Sequence, residues 1–196
     1  MTDLNPLRRR LREARCALSP AQRGELDTRI TTHVVRLALW SWARRVAAYQ
    51  ACNGEFNPAT IIQTLDTLQW YLPVLTGRDQ PLLFATYQPG DVLRLNPWGI
   101  AEPQMATQNL CPPEQLDVVL TPLLGFDESG FRLGMAGGFY DRSFAFRQTT
   151  AGPPWLIGVG YELQKISRQT ARDWDVRLDA MITETGVYRV NSQLTL

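Results

Sequence analysis

The sequence predicts an α/β fold, a three-layer sandwich with a largely parallel sheet, as a single domain over residues 1–196. Two observations carry that expectation. Short apolar runs such as Val118-Val119-Leu120 alternate along the chain with segments of helical periodicity. A length of 196 residues with 44% hydrophobic and 20% charged content also suffices for one sizeable core of an ordinary soluble globular protein.

The elements follow in order. Asn5-Pro6 reads as a helix cap followed by proline in the first turn, and Leu7, Leu11, Ala14 and Leu18 then repeat as a buried stripe. Arg8, Arg12 and Arg15 repeat on an adjacent stripe, as either a solvated basic face or a row of arms for a triphosphate. Ser19-Pro20-Ala21-Gln22 is a capping box, and Leu26, Ile30, His33, Val34 and Leu37 form the apolar face of the second helix. His33, the only histidine, sits on that stripe and reads as a packed residue, not a catalyst. Strands are expected at 45–49, 71–75, 82–87, 117–121, 155–161, 180–183 and 187–190, and helices at 58–68 and 162–172. Residues 107–115, with two prolines, read as a surface connection.

The most informative stretch is 130–142, Gly-Phe-Arg-Leu-Gly-Met-Ala-Gly-Gly-Phe-Tyr-Asp-Arg. Three glycines and Ala136 fall within five residues, after an apolar strand and before a helix start. Such a loop lets backbone N–H groups approach an anion where no side chain intervenes. Arg132 and Arg142 add charge, and Asp141 is a candidate Mg²⁺ ligand. The alternative is a tight turn with no ligand. In parallel sheets ligands sit beyond the carboxyl ends of strands, where this loop and the Gly54-Glu55 loop both belong.

A net charge of +1 argues against general nucleic-acid binding. Lys165 is the only lysine among 20 basic residues, so a phosphate held by a cation is held by arginine. Cys16, Cys52 and Cys111 have no ligand or framework spacing, which points to a reducing compartment and no zinc site. The polar N-terminus and the lack of a membrane-length apolar run predict a cytoplasmic protein, expected to be a monomer with no membrane partner.

With the 130–142 stretch, the segments 15–19, 49–55, 96–99, 117–122 and 174–184 make nearly the whole chain resemble the 5-formyltetrahydrofolate cyclo-ligase (methenyltetrahydrofolate synthetase) family. The resemblance runs through Arg15-Cys16-Ala17-Leu18-Ser19, Tyr49 to Glu55, Asn96-Pro97-Trp98-Gly99 and Asp117 to Pro122. It continues through Arg132-Leu133-Gly134, Gly138-Phe139-Tyr140-Asp141-Arg142 and Trp174 to Glu184. It implies an enzyme that uses ATP and Mg²⁺ to convert 5-formyltetrahydrofolate to 5,10-methenyltetrahydrofolate, with no protein nucleophile. Carried over by position, Arg8 and Arg132, Leu133, Gly134, Met135, Ala136, Gly137, Gly138, Phe139 and Tyr140 resemble the ATP site. Met135 to Phe139 also resemble part of the folate site, together with Gln50 and Glu55, and Asp141 and Asp179 resemble the Mg²⁺ carboxylates. Two positions depart from the family pattern. Ala136 stands where glycine is usual, and Leu4 where a basic residue is common. If position 136 needs a positive φ, its methyl group costs about 1–2 kcal/mol. Other readings are a relative that binds nucleotide or reduced folate without efficient turnover, and a sugar-phosphate isomerase on a similar sandwich.

Overall fold

The computed structural model describes residues 3–97, 99–104, 109–169 and 172–196. Trp98 and the first two residues of the predicted 107–115 connection lie outside them. The chain runs α1 (Asn5–Cys16), α2 (Pro20–Val35), β1 (Arg45–Ala47), α3 (Ala59–Thr64), β2 (Gln69–Leu75) and β3 (Leu82–Tyr87). It continues through β4 (Leu93–Leu95), β5 (Ala101–Pro103), β6 (Val118–Pro122), β7 (Gly125–Phe126) and β8 (Arg132–Leu133). The remaining elements are α4 (Phe139–Ser143), β9 (Trp155–Val159), β10 (Ala180–Thr183) and β11 (Gly186–Arg189).

Seven strands form the central sheet in the order β11-β10-β9-β6-β1-β2-β3. Its five inner strands pair in parallel, and antiparallel β3 and β11 close the two edges. Alternation along the strands sends side chains to both faces. Val118 and Leu120 join Val46, Ile157 and Ile182 in a core with Ile30 and Val34 of α2 and Ile61 of α3. Val119, Ala47, Leu156 and Met181 point the other way, into a core with Phe84, Phe126 and Phe144. An inner strand apolar on both faces must be covered on both, which is why the parallel sheet lies between two layers. Burying each such aliphatic side chain contributes about 1.5–3 kcal/mol. A third cluster seats α1 on the β7–β8 hairpin, through Leu11, Leu124, Phe131 and Leu133.

Local chemistry sets the boundaries. The Ser19 capping box forms as expected, with Ser19 Oγ accepting from Gln22 N–H and Gln22 Oε1 from Ser19 N–H. At α1 the cap position is Leu4 and Asn5 is already helical, its N–H donating to Asp3 Oδ1 at 2.9 Å. The predicted 162–172 helix is a correction: among its described residues only Glu162–Gln164 turns, as a 3-10 helix, and residues 170–171 lie outside the described residues. The Gln164 side chain donates to Leu123 and Leu124 carbonyls, and Ile166 N–H donates to Phe126 O, drawing the chain out alongside β7. The segment after α4 likewise tightens to a 3-10 helix over Ala145–Gln148. Among the described residues no helix is long and apolar enough to cross a membrane.

Candidate functional site

A cleft of about 990 Å³ opens beyond the carboxyl ends of β1 and β6. Much of its wall comes from four stretches, the start of α1, the loop after β1, the run from Phe131 to Arg142 and residues 172–175, with β2, β3 and the end of β6 adding Pro73, Leu82 and Pro122. The glycine-rich loop follows the β7–β8 hairpin rather than β6 itself, and its far end is the start of α4. Arg132 Nη2 lies 2.9 Å from Asp141 Oδ1, so an ion pair joins the two ends of the loop. Val176 N–H donates to the same oxygen, while Asp141 Oδ2 receives no hydrogen bond from a described residue. The loop then lies open, with Met135, Ala136 and Gly137 exposed.

Gly138 caps α4 at φ 63°, a left-handed position that glycine enters freely. Ala136 takes φ 78°, the same region, with a methyl group. The expectation about this position therefore concerns a real strain. Gly137 lacks a Cβ for a different reason: one built there stands 2.8 Å from the Phe139 ring.

The arginine stripe of α1 divides among three roles. Arg8 lines the cleft, donating from Nε to Gly134 O at 3.0 Å and from Nη1 to Asn5 Oδ1 at 3.3 Å. Burial, and then the like charge of Arg172, lower its pKa from the ordinary value, against the opposing charge of Asp3. Arg12 touches Met135 Sδ at 3.8 Å. Arg15 points inward and is fully buried.

Across the cleft, Gln50 and Glu55 lie in the loop after β1. Cys52 N–H donates to Glu55 Oε2 at 3.1 Å, and Arg15 Nη1 stands 3.6 Å from Glu55 Oε1. Burial nevertheless raises the Glu55 pKa above the ordinary carboxylate value, against the Cys52 N–H and the Arg15 charge. Burial, and then Glu55, push the Cys52 thiol up to about 11, so it is protonated at neutral pH and is not a nucleophile there. Tyr140 lines the cleft with its hydroxyl buried and unpartnered among the described residues. His33 is half-buried on α2 and is not among the lining residues.

Of the two expected metal carboxylates, Asp141 lines the cleft and Asp179 is not among its lining residues. Asp179 is 4% exposed, and both its oxygens lie 2.9 Å from Arg147 Nη2. Leu156 N–H and Asn191 Nδ2 donate to it as well, at 2.8 Å each, which makes it an internal anchor between β9 and β10. Besides Glu55 on the opposite wall, the carboxylate that shares the cleft with Asp141 is Asp175, four residues before Asp179. Sequence reasoning passed over Asp175, and with it Arg172 and Trp174 of the same wall. A signal was present, because Asp179 adjoins the apolar Ala180-Met181-Ile182 strand, where a carboxylate has to find an internal partner. Among the described residues no group of three or more metal-ligating side chains occurs.

Comparison with known proteins decides the kinship. The profile of the 5-formyltetrahydrofolate cyclo-ligase family matches residues 2–184. The chain belongs to this family. Its 5-formyltetrahydrofolate cyclo-ligase relative from Haemophilus influenzae is 35% identical over 175 residues, covering 88% of this chain and 92% of the relative. The relative of that name from Escherichia coli K12 is 34% identical over 185 residues, covering 91% and 98%. The solution structure of Aquifex aeolicus 5,10-methenyltetrahydrofolate synthetase superposes with a TM-score of 0.82 at 26% identity, covering 99% of this chain and 96% of that one. The expected family and α/β fold are thus both found.

Proposed function

We propose that the chain converts 5-formyltetrahydrofolate to 5,10-methenyltetrahydrofolate with ATP and Mg²⁺, releasing ADP and phosphate. The observation that supports it best is a single cleft with a buried carboxylate, Glu55, on one wall and the arginine-flanked loop with Asp141 on the other. Its volume lies at the upper end of the usual range for small-molecule sites, about 300–1,000 Å³, as two substrates require.

A formamide oxygen is a poor leaving group. In the proposed reaction it attacks the γ-phosphorus of ATP and ADP departs. The folate N10 then adds to the activated formyl carbon, its proton is lost, and the carbon–oxygen bond breaks to release phosphate. The work left to the chain is alignment and charge neutralisation. Arg8 and the N–H groups of residues 134–138 face the phosphates, with Arg172 beside Arg8. Glu55 accepts N–H groups of the pterin edge, and Gln50 lies on the same wall.

Asp141 and Asp175 fit Mg²⁺, which takes few carboxylates and fills its other positions with water and phosphate oxygens. Asp179 is given no metal role in this proposal, because it lies outside the cleft lining with Arg147, Leu156 and Asn191 on its two oxygens. Bound there, the ion would screen the negative charge of the phosphates. A weak enzyme that holds its ligands with little turnover is a second reading, favoured by the left-handed Ala136. The deciding assay follows the methenyl chromophore in 5-formyltetrahydrofolate with and without ATP and Mg²⁺. Product formed only with both supports the proposal, and none under any condition refutes it.

A further inference from the structure

Arg15 is 0% exposed and lies behind the cleft, not in its lining. An arginine so enclosed needs partners for a fork of five donors. It finds them in the parts that build the folate wall: Nε donates to Asn53 O at 3.1 Å, and Nη1 to Leu123 O at 3.0 Å. The same Nη1 stands 3.6 Å from Glu55 Oε1, and the Glu55 side chain is itself only 8% exposed. Nη2 is buried with no hydrogen-bond partner among the described residues, so the fork holds a donor beyond those its neighbours use. One guanidinium thus ties α1, the loop after β1 and the end of β6 to a carboxylate facing the cleft.

We propose that Arg15 is a positioning residue for folate recognition, acting through Glu55 by holding its carboxylate ionised and aimed into the cleft. The proposal rests on the reading that Glu55 contacts the reduced folate. Among the described residues, the other groups facing Glu55 are neutral at pH 7. The Cys52 N–H and thiol come from its own loop, the Tyr49 hydroxyl from beyond β1, and the Tyr140 hydroxyl from α4. Tyr49 Oη donates to Phe56 O at 3.0 Å and so does not turn to Glu55. Among the described residues Arg15 is therefore the cation set against a desolvation that favours the protonated acid.

The test is a double-mutant cycle of Arg15→Gln and Glu55→Gln, with 5-formyltetrahydrofolate and ATP titrated separately by calorimetry across pH. Glu55→Gln is expected to weaken folate about tenfold with ATP unchanged; an unchanged folate affinity overturns the Glu55 reading itself. Arg15→Gln is expected to weaken folate about tenfold at neutral pH and to raise the pH midpoint of folate binding by about one unit or more. In the Glu55→Gln background the Arg15 substitution should cost no further folate affinity. An equal loss in both backgrounds, or an unmoved midpoint, shows a structural role that does not pass through Glu55 and overturns the proposal. Should Arg15→Gln alone fail to fold, the double variant is expected to fold, because it leaves no unpaired buried charge. If the double variant fails too, Arg15 serves the Asn53 and Leu123 carbonyls alone and the proposal falls.

Discussion

Arg132 and Asp141 meet at 2.9 Å across the open end of the glycine-rich loop, so one ion pair fixes the spacing of strand β8 from helix α4. The same aspartate faces the cleft together with Asp175, whereas Asp179 is sealed against Arg147. Substitution separates the three. Asp141→Asn and Asp175→Asn are expected to raise the Mg²⁺ concentration needed for turnover while leaving the protein folded. Asp179→Asn is expected to leave the metal requirement alone and cost about 3–5 kcal/mol of stability, because Arg147 loses its buried partner. Metal titrations of activity beside denaturant unfolding check this, and a raised metal requirement for the Asp179 variant alone reverses the assignment.

Ala136→Gly relieves a left-handed residue of its methyl group. The expected gain is about 1 kcal/mol, which for a chain of this size raises Tm by about 2–4 °C. If the strained backbone also holds the loop away from its anion, ATP tightens by up to about tenfold. Unchanged Tm and ATP affinity together show that alanine is at ease in this turn.

Arg8→Ala removes a guanidinium that touches Gly134 O and lines the cleft. The loss of a charged hydrogen bond to phosphate, about 1.5–3 kcal/mol, corresponds to ATP binding weakened by roughly 10- to 100-fold. Folate affinity should stay within about twofold of the parent. Calorimetry with each ligand alone distinguishes this from equal, small losses, which return Arg8 to a scaffolding role.

Asp127 holds the β7–β8 turn that delivers the chain into the glycine-rich loop. It is 1% exposed and accepts from Ser129 N–H and Oγ, Phe131 N–H and Gln169 N–H. Burial raises its pKa, but these hydrogen bonds, Ser129 Oγ foremost, outweigh it and hold the carboxyl below its ordinary value. A carboxyl depressed on folding contributes stability that is complete above its unfolded pKa and lost as pH falls through the folded one. Asp127→Asn should therefore cost about 2 kcal/mol at neutral pH, and the gap from the parent should narrow as pH falls below about 4. Urea unfolding at several pH values measures the gap, and a gap constant with pH removes the ionised carboxylate from the account.

The sheet was legible because its inner strands are apolar on both faces, and runs such as Val118 to Leu120 have few other places to go. The β4–β5 hairpin was not legible: its strands are three residues long, with Leu95 exposed, so no burial pattern marks them. The 162–172 segment misled because what stops its helix is distant, in the carbonyls of Leu123, Leu124 and Phe126. At the site, the glycine-rich loop could be read from composition, while the arginines of α1 could not be told apart. Arg8 and Arg15 share a stripe and a chemistry, and only the path of the loop after β1 encloses one and leaves the other in the cleft. Asp175 and Asp179 present the same difficulty four residues apart, resolved by Arg147 from a separate segment.

The main stretches that wall the cleft come from the beginning, the first third, the last third and the final strands' approach of one continuous chain. No excised half carries the whole cleft, since α1 and the 172–175 segment must meet before Arg8 faces Arg172. A molecule seated between them acts as a clasp on the tertiary structure. Occupancy should therefore slow the exchange of amide hydrogens at the foot of α1 as well as in the loop itself, so that ligand and native topology protect one another.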